Sequence, residues 1–158
     1  MAESLQPGAK APGFDLPTDE GRNLRLGDFA GKTLVLYFYP KDDTSGCTSE
    51  AKGFTYAIAE FQAAGAEVLG VSKDSVKSHA RFREKYGLEV HLGSDPEGQT
   101  VEAYGVWVQK SMYGRKYMGI ERATYLIDGQ GVIRQVWRKV SVTGHAADVL
   151  KAARSLAG

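Results

Sequence analysis

Residues 33–51 read TLVLYFYPKDDTSGCTSEA, and the architecture follows from how this stretch divides. Thr33–Tyr39 is an unbroken β-branched and aromatic run, short enough for a strand and apolar on both faces. Such a run belongs in a sheet covered on both sides, as in folds where parallel strands alternate with helices. Pro40 fixes the backbone as the chain leaves the strand, and 41–46 is a polar loop. Beyond it Ala51, Phe54, Ile58 and Phe61 recur at helical spacing, which predicts one helix from near Thr48 to a stop at Gly65.

Downstream, Glu67–Ser72 (EVLGVS) reads as a second buried strand. Asp74 or Ser75 can cap a helix that runs to Tyr86 and ends at Gly87. His91–Leu92 predicts a short strand and Pro96–Tyr104 a short helix. Ala123–Ile127 and Val132–Trp137 are strands joined by a tight turn at Asp128–Gly131, and Thr143 or Gly144 opens a last helix through Ala157. Upstream, alternating pieces at Phe14–Leu16 and Asn23–Leu26, separated by Thr18–Gly21, predict a small hairpin. The insert Gly105–Ile120 carries glycines and aromatics without a periodicity that assigns it. The order predicts an α/β fold: a central mixed β-sheet flanked by helices, with right-handed parallel crossovers and an N-terminal β-hairpin extension. This order resembles the thioredoxin-like layout. No linker, repeat or low-complexity segment divides residues 1–158, so a single domain is expected.

The bulk properties exclude several functions. With 20 Lys and Arg against 19 Asp and Glu, the net charge is +1, too little for a strong electrostatic grip on nucleic acid or anionic lipid. No apolar run approaches the roughly 20 residues that cross a bilayer. The stretch Met1–Lys10 lacks the basic-then-apolar pattern of a secretory leader, so a cytoplasmic location is expected.

Cys47 is the sole cysteine, which rules out an internal disulfide and a cysteine-rich zinc site. A lone cysteine is most often a small buried hydrophobe. Its setting argues for more. Reactive groups in α/β sheets gather beyond the carboxyl ends of strands, and Cys47 lies between the first long strand and the helix that follows. Four residues before Ala51, it shares the inward stripe of the first helical turn. The first N–H groups of a helix have no internal partner, and the helix dipole adds positive potential. Both favour thiolate, the form that attacks an O–O bond to give a sulfenic acid. Thr44, three residues earlier, can turn its hydroxyl toward the sulfur or a bound peroxide. Gly46 lets the backbone approach closely, and the Gly46 and Cys47 amides are placed to stabilise charge on peroxide oxygens. Each of these residues taken singly also fits a capped helix after a polar turn.

The stretch Tyr39–Ala51 resembles the active-site loop of the peroxiredoxin Q (bacterioferritin comigratory protein) group of peroxiredoxins. The pattern Pro-x-x-x-Thr/Ser-x-x-Cys is met by Pro40, Thr44 and Cys47. The similarity extends through PGAKAPGFDLP from Pro7, VLGVSKD from Val68, YGVW from Tyr104 and ERATYLID from Glu121. The resemblance implies a thiol-dependent peroxidase acting on hydrogen peroxide and organic hydroperoxides, with Cys47 as peroxidatic nucleophile and no cofactor or metal. It also implies an arginine facing the sulfur, which maps onto Arg122. A guanidinium there stabilises both the thiolate and the charge that develops on attack. The resemblance implies a monomer.

The chain departs from that pattern in two places. Many relatives carry a second, resolving cysteine five residues after the first, where this chain has Lys52; others place it in the next helix, where it has none. Five helical residues turn about 500°, leaving the side chain roughly 140° away and the Cα atoms roughly 8 to 9 Å apart. A disulfide needs them within about 7 Å, so relatives of the first kind must unwind that turn. This one-cysteine form has no such need, and an external thiol such as thioredoxin, glutaredoxin or glutathione is the expected reductant. Ser45 replaces the proline common before Gly-Cys, which frees φ and adds an N–H.

Other signals weigh less. GDFAGKT at 27–33 is one residue short of a phosphate loop and leads into a strand. His79, His91 and His145 have no metal or triad spacing and are expected at the surface. Asp42–Asp43 reads as a solvated turn, and Lys52 as a solvated helix charge. Trp107, Tyr113 and Tyr117 suit either a binding surface or core packing. Two further functions compete with peroxide reduction. One is a monothiol disulfide or glutathione exchanger, which does not account for Pro40, Thr44 and Arg122 together. The other is a non-catalytic thioredoxin-like binding module with an inert Cys47.

Overall fold

The fold is described from a computed structural model covering residues 5–157. The first four residues of the stretch read for a leader, and Gly158, lie outside the described residues. A two-stranded hairpin opens the chain, β1 (Asp15–Pro17) with β2 (Asn23–Arg25), and a 3-10 turn (Leu26–Phe29) leads to β3 (Thr33–Phe38). Then follow α1 (Ser45–Tyr56), α2 (Ile58–Ala63), β4 (Ala66–Ser72), α3 (Val76–Tyr86), β5 (His91–Ser94) and α4 (Gln99–Ala103). A second hairpin, β6 (Trp107–Met112) with β7 (Arg115–Ile120), precedes β8 (Ala123–Ile127), β9 (Ile133–Trp137) and α5 (His145–Ala157).

The central sheet has the order β5-β4-β3-β8-β9. β3 pairs in parallel with β4, and β4 with β5, while β8 runs antiparallel to both β3 and β9. The mixed sheet expected from the sequence is therefore present. β3 lies at its centre, and its pleat sends alternate residues into two separate cores. Leu34, Leu36 and Phe38 pack with the N-terminal hairpin, Val101 and Tyr104. Val35, Tyr37 and Tyr39 pack with α1, α2, α3 and α5 through Phe54, Phe61, Phe82 and Val149. A strand buried on both faces needs apolar bulk along its buried length, and Leu34–Tyr39 supply it.

Three expectations are corrected, and one unassigned segment takes shape. The single helix expected between Thr48 and Gly65 begins earlier, at Ser45, and breaks at Ala57, whose N–H turns back to the Phe54 carbonyl. Alanine is the best helix former, so nothing in local propensity marks the break. The insert at 105–120, left unassigned, is the β6–β7 hairpin. Its two strands stand apart from the main sheet and bury little on either face, so no alternation shows. Tyr113 and Tyr117 are exposed there, and Trp107 is half-buried with the Lys73 ammonium 4.1 Å from its ring centroid.

The histidines and Asp42 make the largest correction. His79 and His145 are buried, and His91 is half-buried between Glu20 and Glu67. His145 Nε2 meets the Thr124 hydroxyl at 2.8 Å. Asp42 is also buried, while its neighbour Asp43 stays in solvent with a left-handed φ of 59°. Asp42 accepts from the Tyr39 hydroxyl at 2.6 Å and the Ser78 hydroxyl at 2.8 Å, and meets His79 Nδ1 at 2.7 Å. Its own N–H donates to Asp74 at 2.9 Å. His79 Nε2 faces the Gly93 carbonyl at 3.1 Å, which can only accept, so that nitrogen carries a proton. His79 shares its helix face with Phe82, and its polar partner comes from a loop 37 positions away. No short-range pattern could reveal the pair.

This network anchors the loop that leads to Cys47. Asp42→Ala should take the short carboxylate contact from His79 Nδ1 and the Tyr39 hydroxyl, leaving those two buried atoms with each other at 3.4 Å. The expected cost is about 3–5 kcal/mol of stability in urea unfolding. For a chain of this size that lowers the thermal midpoint by roughly 6–20 °C. A loss under about 1 kcal/mol would mean that water replaces the carboxylate freely.

Candidate active site

Cys47 is the third residue of α1, at the carboxyl end of β3, and is 1% exposed. Thr44 is the N-cap, with extended backbone, but its hydroxyl does not cap the helix: it donates to the Lys41 carbonyl at 2.8 Å. The Gly46 and Cys47 amides have no acceptor among the described residues, and the first main-chain bond of the turn runs from the Thr48 N–H to the Thr44 carbonyl. Two free donors therefore sit beside the sulfur at the positive end of the helix dipole.

Arg122 lies between β7 and β8, next to the strand that neighbours β3. Its Nη2 donates to Cys47 Sγ at 3.4 Å, and its Nη1 donates to Glu50 Oε1 at 2.6 Å. Gly46 makes room for this: a Cβ there would stand 3.1 Å from Nη2. What the glycine supplies is close approach, since an added Cβ would press the guanidinium by a few tenths of an ångström and the glycine φ is not in the left-handed range. Pro40 is half-buried where the chain leaves β3. The structure thus brings Cys47, Gly46 and Arg122 together, places Pro40 at the loop's start, and turns the Thr44 hydroxyl back into the loop. Lys52 is half-buried, its ammonium 5.8 Å from the Tyr86 ring centroid.

Glu50 was not singled out from the sequence. It is 2% exposed, yet it is an acid. Burial pushes its carboxyl up to about 7, and the Arg122 charge and hydrogen bond work against that rise. Burial works to lower the Arg122 pKa, but Glu50 and Cys47 outweigh it and hold the guanidinium charged. A signal for Glu50 existed: it follows Cys47 by three residues, on the face shared with Ala51 and Phe54. An acid on an apolar helix face needs a buried cation.

A raised carboxyl pKa fixes the sign of a pH effect. Between its unfolded value and about 7 the folded chain holds a proton that the unfolded chain has lost, so stability falls as pH rises through that window. Glu50→Gln keeps an acceptor for Arg122 and removes the titration. Urea unfolding at pH 5 and pH 8 should show a smaller decline for the variant than for wild type. Equal declines would remove Glu50 as their source.

Comparison with known proteins places this geometry. Residues 7–136 match the AhpC/TSA family, and the chain belongs to that family. Within it, the relatives are bacterioferritin comigratory proteins, also called peroxiredoxin Q, and the chain is a peroxidase of that group. A putative peroxiredoxin Bcp of Coxiella burnetii is 55% identical over 147 residues, 93% of this chain and 97% of that protein. Peroxiredoxin Bcp of Bacillus subtilis is 43% identical over 97% of this chain and 98% of its own. Among solved structures, the bacterioferritin comigratory protein of Xanthomonas campestris, studied for alkyl peroxide reduction, superposes with a TM-score of 0.87 at 45% identity, covering 92% of each chain. Xylella fastidiosa PrxQ superposes at 0.93 with 37% identity, covering 99% of this chain and all of the other. The thioredoxin-like fold of these peroxiredoxins is the fold of this chain. Among the described residues no helix is long and apolar enough to cross a membrane, and no group of three or more His, Cys, Asp or Glu is arranged to hold a metal ion.

Proposed function

We propose that Cys47 is the peroxidatic nucleophile and that the chain runs a one-cysteine cycle on hydrogen peroxide and alkyl hydroperoxides. The Cys47 thiolate attacks one peroxide oxygen. The S–O bond forms as the O–O bond breaks, and the departing alkoxide or hydroxide takes a proton to leave as alcohol or water. Cys47 is then a sulfenic acid. An external thiol condenses with it, releasing water and giving a mixed disulfide. A second thiol attacks that disulfide, which regenerates Cys47 and carries away the oxidised reductant.

The observation that carries this reading is the Arg122 guanidinium on the sulfur at 3.4 Å, at a helix start whose first amides are free. Charge moves from sulfur to oxygen during attack, and a fixed cation beside two unpaired helix-start N–H groups stabilises it without rearranging. Arg122 is a catalytic residue in this reading, and Glu50 positions it through the 2.6 Å bond. Thr44, by rotating its hydroxyl from Lys41, supplies a hydrogen bond to the bound peroxide. Pro40 shields the sulfur from bulk water. The alkyl substrates are proposed from the activity of the Xanthomonas relative. A single free thiol cycling through a mixed disulfide suits a reducing compartment, which supports a cytoplasmic site of action.

Stopped-flow mixing with hydrogen peroxide, with an alkyl hydroperoxide and with a glutathione mixed disulfide tests this reading. Fast thiol-dependent turnover of a peroxide is expected. Disulfide exchange without peroxide consumption would make the chain an exchanger, and inertness toward all three would make it a binding module.

A further inference from the structure

A one-cysteine cycle leaves one question to the rest of the surface. Cys47 is 1% exposed and has no partner thiol in the chain, so a reductant must be brought to it. Resting on the peroxidase reading above, we propose that the β6–β7 hairpin is the docking surface for that reductant, and that the reductant is an acidic thiol-bearing protein with an apolar rim around its thiol.

The hairpin is joined to the site at its root. β7 ends at the buried Ile120, two residues before Arg122, and the Glu121 N–H donates to the Val106 carbonyl at 2.7 Å across the base. Lys110 lies within electrostatic reach of the site. Burial and then the Arg122 charge lower its pKa, and Cys47 raises it. Cross-strand register places Lys110 opposite Tyr117 and Met112 opposite Arg115. Both pairs therefore lie on one face of the ribbon, running from the electrostatic neighbourhood of Cys47 out to the tip.

That face has the chemistry of a protein interface. Met112 is 56% exposed, Tyr117 44% and, at the tip, Tyr113 98%. Methionine adapts to varied partners, and tyrosine and arginine are over-represented among residues that dominate binding energy. Tyr113 also holds a left-handed φ of 51°, next to Gly114 at 77°, in a two-residue turn. A bulky residue seldom takes this conformation, and here it holds a large ring in solvent.

Charge selects the partner. The hairpin from Val106 to Ile120 carries Lys110 and Arg115 on this face, Lys116 on the other, and no acid, in a chain with a net charge of only +1. Glu121, the nearest acid in sequence, is engaged by Arg138. A second copy of the chain, meeting hairpin to hairpin, would set cation against cation. A small anionic thiol would meet the charges and leave the Met and Tyr side chains in water. An acidic protein surface with apolar residues satisfies both.

The test measures the two half-reactions separately. Arg115→Glu alters the charge, and Met112→Ser with Tyr113→Ser alters the apolar contact; all three sites are exposed and outside the catalytic cluster. Wild type and variants are first oxidised with one equivalent of hydrogen peroxide. They are then reduced by a thioredoxin of net negative charge, by glutathione, or by dithiothreitol. The expected result is equal oxidation of Cys47 in all proteins and equal reduction by both small thiols. Reduction by the thioredoxin should slow about tenfold in each variant, with salt slowing the wild type more than Arg115→Glu. Unchanged reduction by the thioredoxin overturns the docking proposal alone. So does a loss that appears equally with dithiothreitol, a loss confined to glutathione, or sedimentation showing a wild-type dimer that the variants dissociate. Failure of peroxide to oxidise wild-type Cys47 instead removes the peroxidase reading and the docking proposal with it.

Discussion

Replacing Cys47 with serine is expected to end thiol-dependent peroxide consumption, leaving only the rate of the reductant acting without protein. The hydroxyl is far less acidic than a thiol, so even the helix start and Arg122 cannot supply an anionic nucleophile at neutral pH. The fold should persist. Serine is slightly smaller than cysteine, and its buried oxygen can accept from Arg122 where the sulfur does now. Stability within about 1 kcal/mol of wild type is expected by urea unfolding, which separates loss of chemistry from loss of structure. Retained peroxide turnover in Cys47→Ser would place the reaction at another residue.

Arg122→Ala has the next largest expected effect. It removes the guanidinium donor from the sulfur and the cation from the place where charge develops. Loss of one such donor slows a reaction roughly 100- to 1,000-fold, and that is the expected fall in the second-order rate with hydrogen peroxide. The same substitution takes away the buried partner of Glu50. With the opposing influence of Arg122 gone, burial acts alone and the carboxyl pKa rises further, so Glu50 folds protonated near neutral pH. The variant should therefore stay folded, with its stability falling more steeply than wild type as pH rises above 7. Arg122→Lys keeps the charge but cannot bridge sulfur and carboxylate with two separate nitrogens, so it should recover only part of the rate. An Arg122→Ala rate equal to wild type would remove this arginine from the chemistry.

What the sequence made legible, and what it did not, follows from the range of the interactions. β3 could be read because burial on both faces demands an unbroken apolar run. The place of Cys47 could be read because a strand, a polar loop and a helix start are contiguous in the chain. Arg122 is 75 residues from Cys47, and only the resemblance carried by ERATYLID linked the two. Glu50 left a local trace, an acid on an apolar helix face, that went unread. The Asp42–His79 pair left none, since each residue alone looks like an ordinary surface group and only the fold buries them against each other. The β6–β7 hairpin was obscured because a ribbon apart from the main sheet needs no apolar face, and its large side chains point to solvent.

The central claim is that peroxide oxygen ends on the sulfur of Cys47, and intact-protein mass spectrometry after one equivalent of hydrogen peroxide reads it directly. The predicted product is the chain plus one oxygen, located at Cys47 by peptide mapping and removed by added thiol through a mixed disulfide. An unmodified chain with the peroxide unconsumed, or a stable internal crosslink at Cys47, would contradict the account.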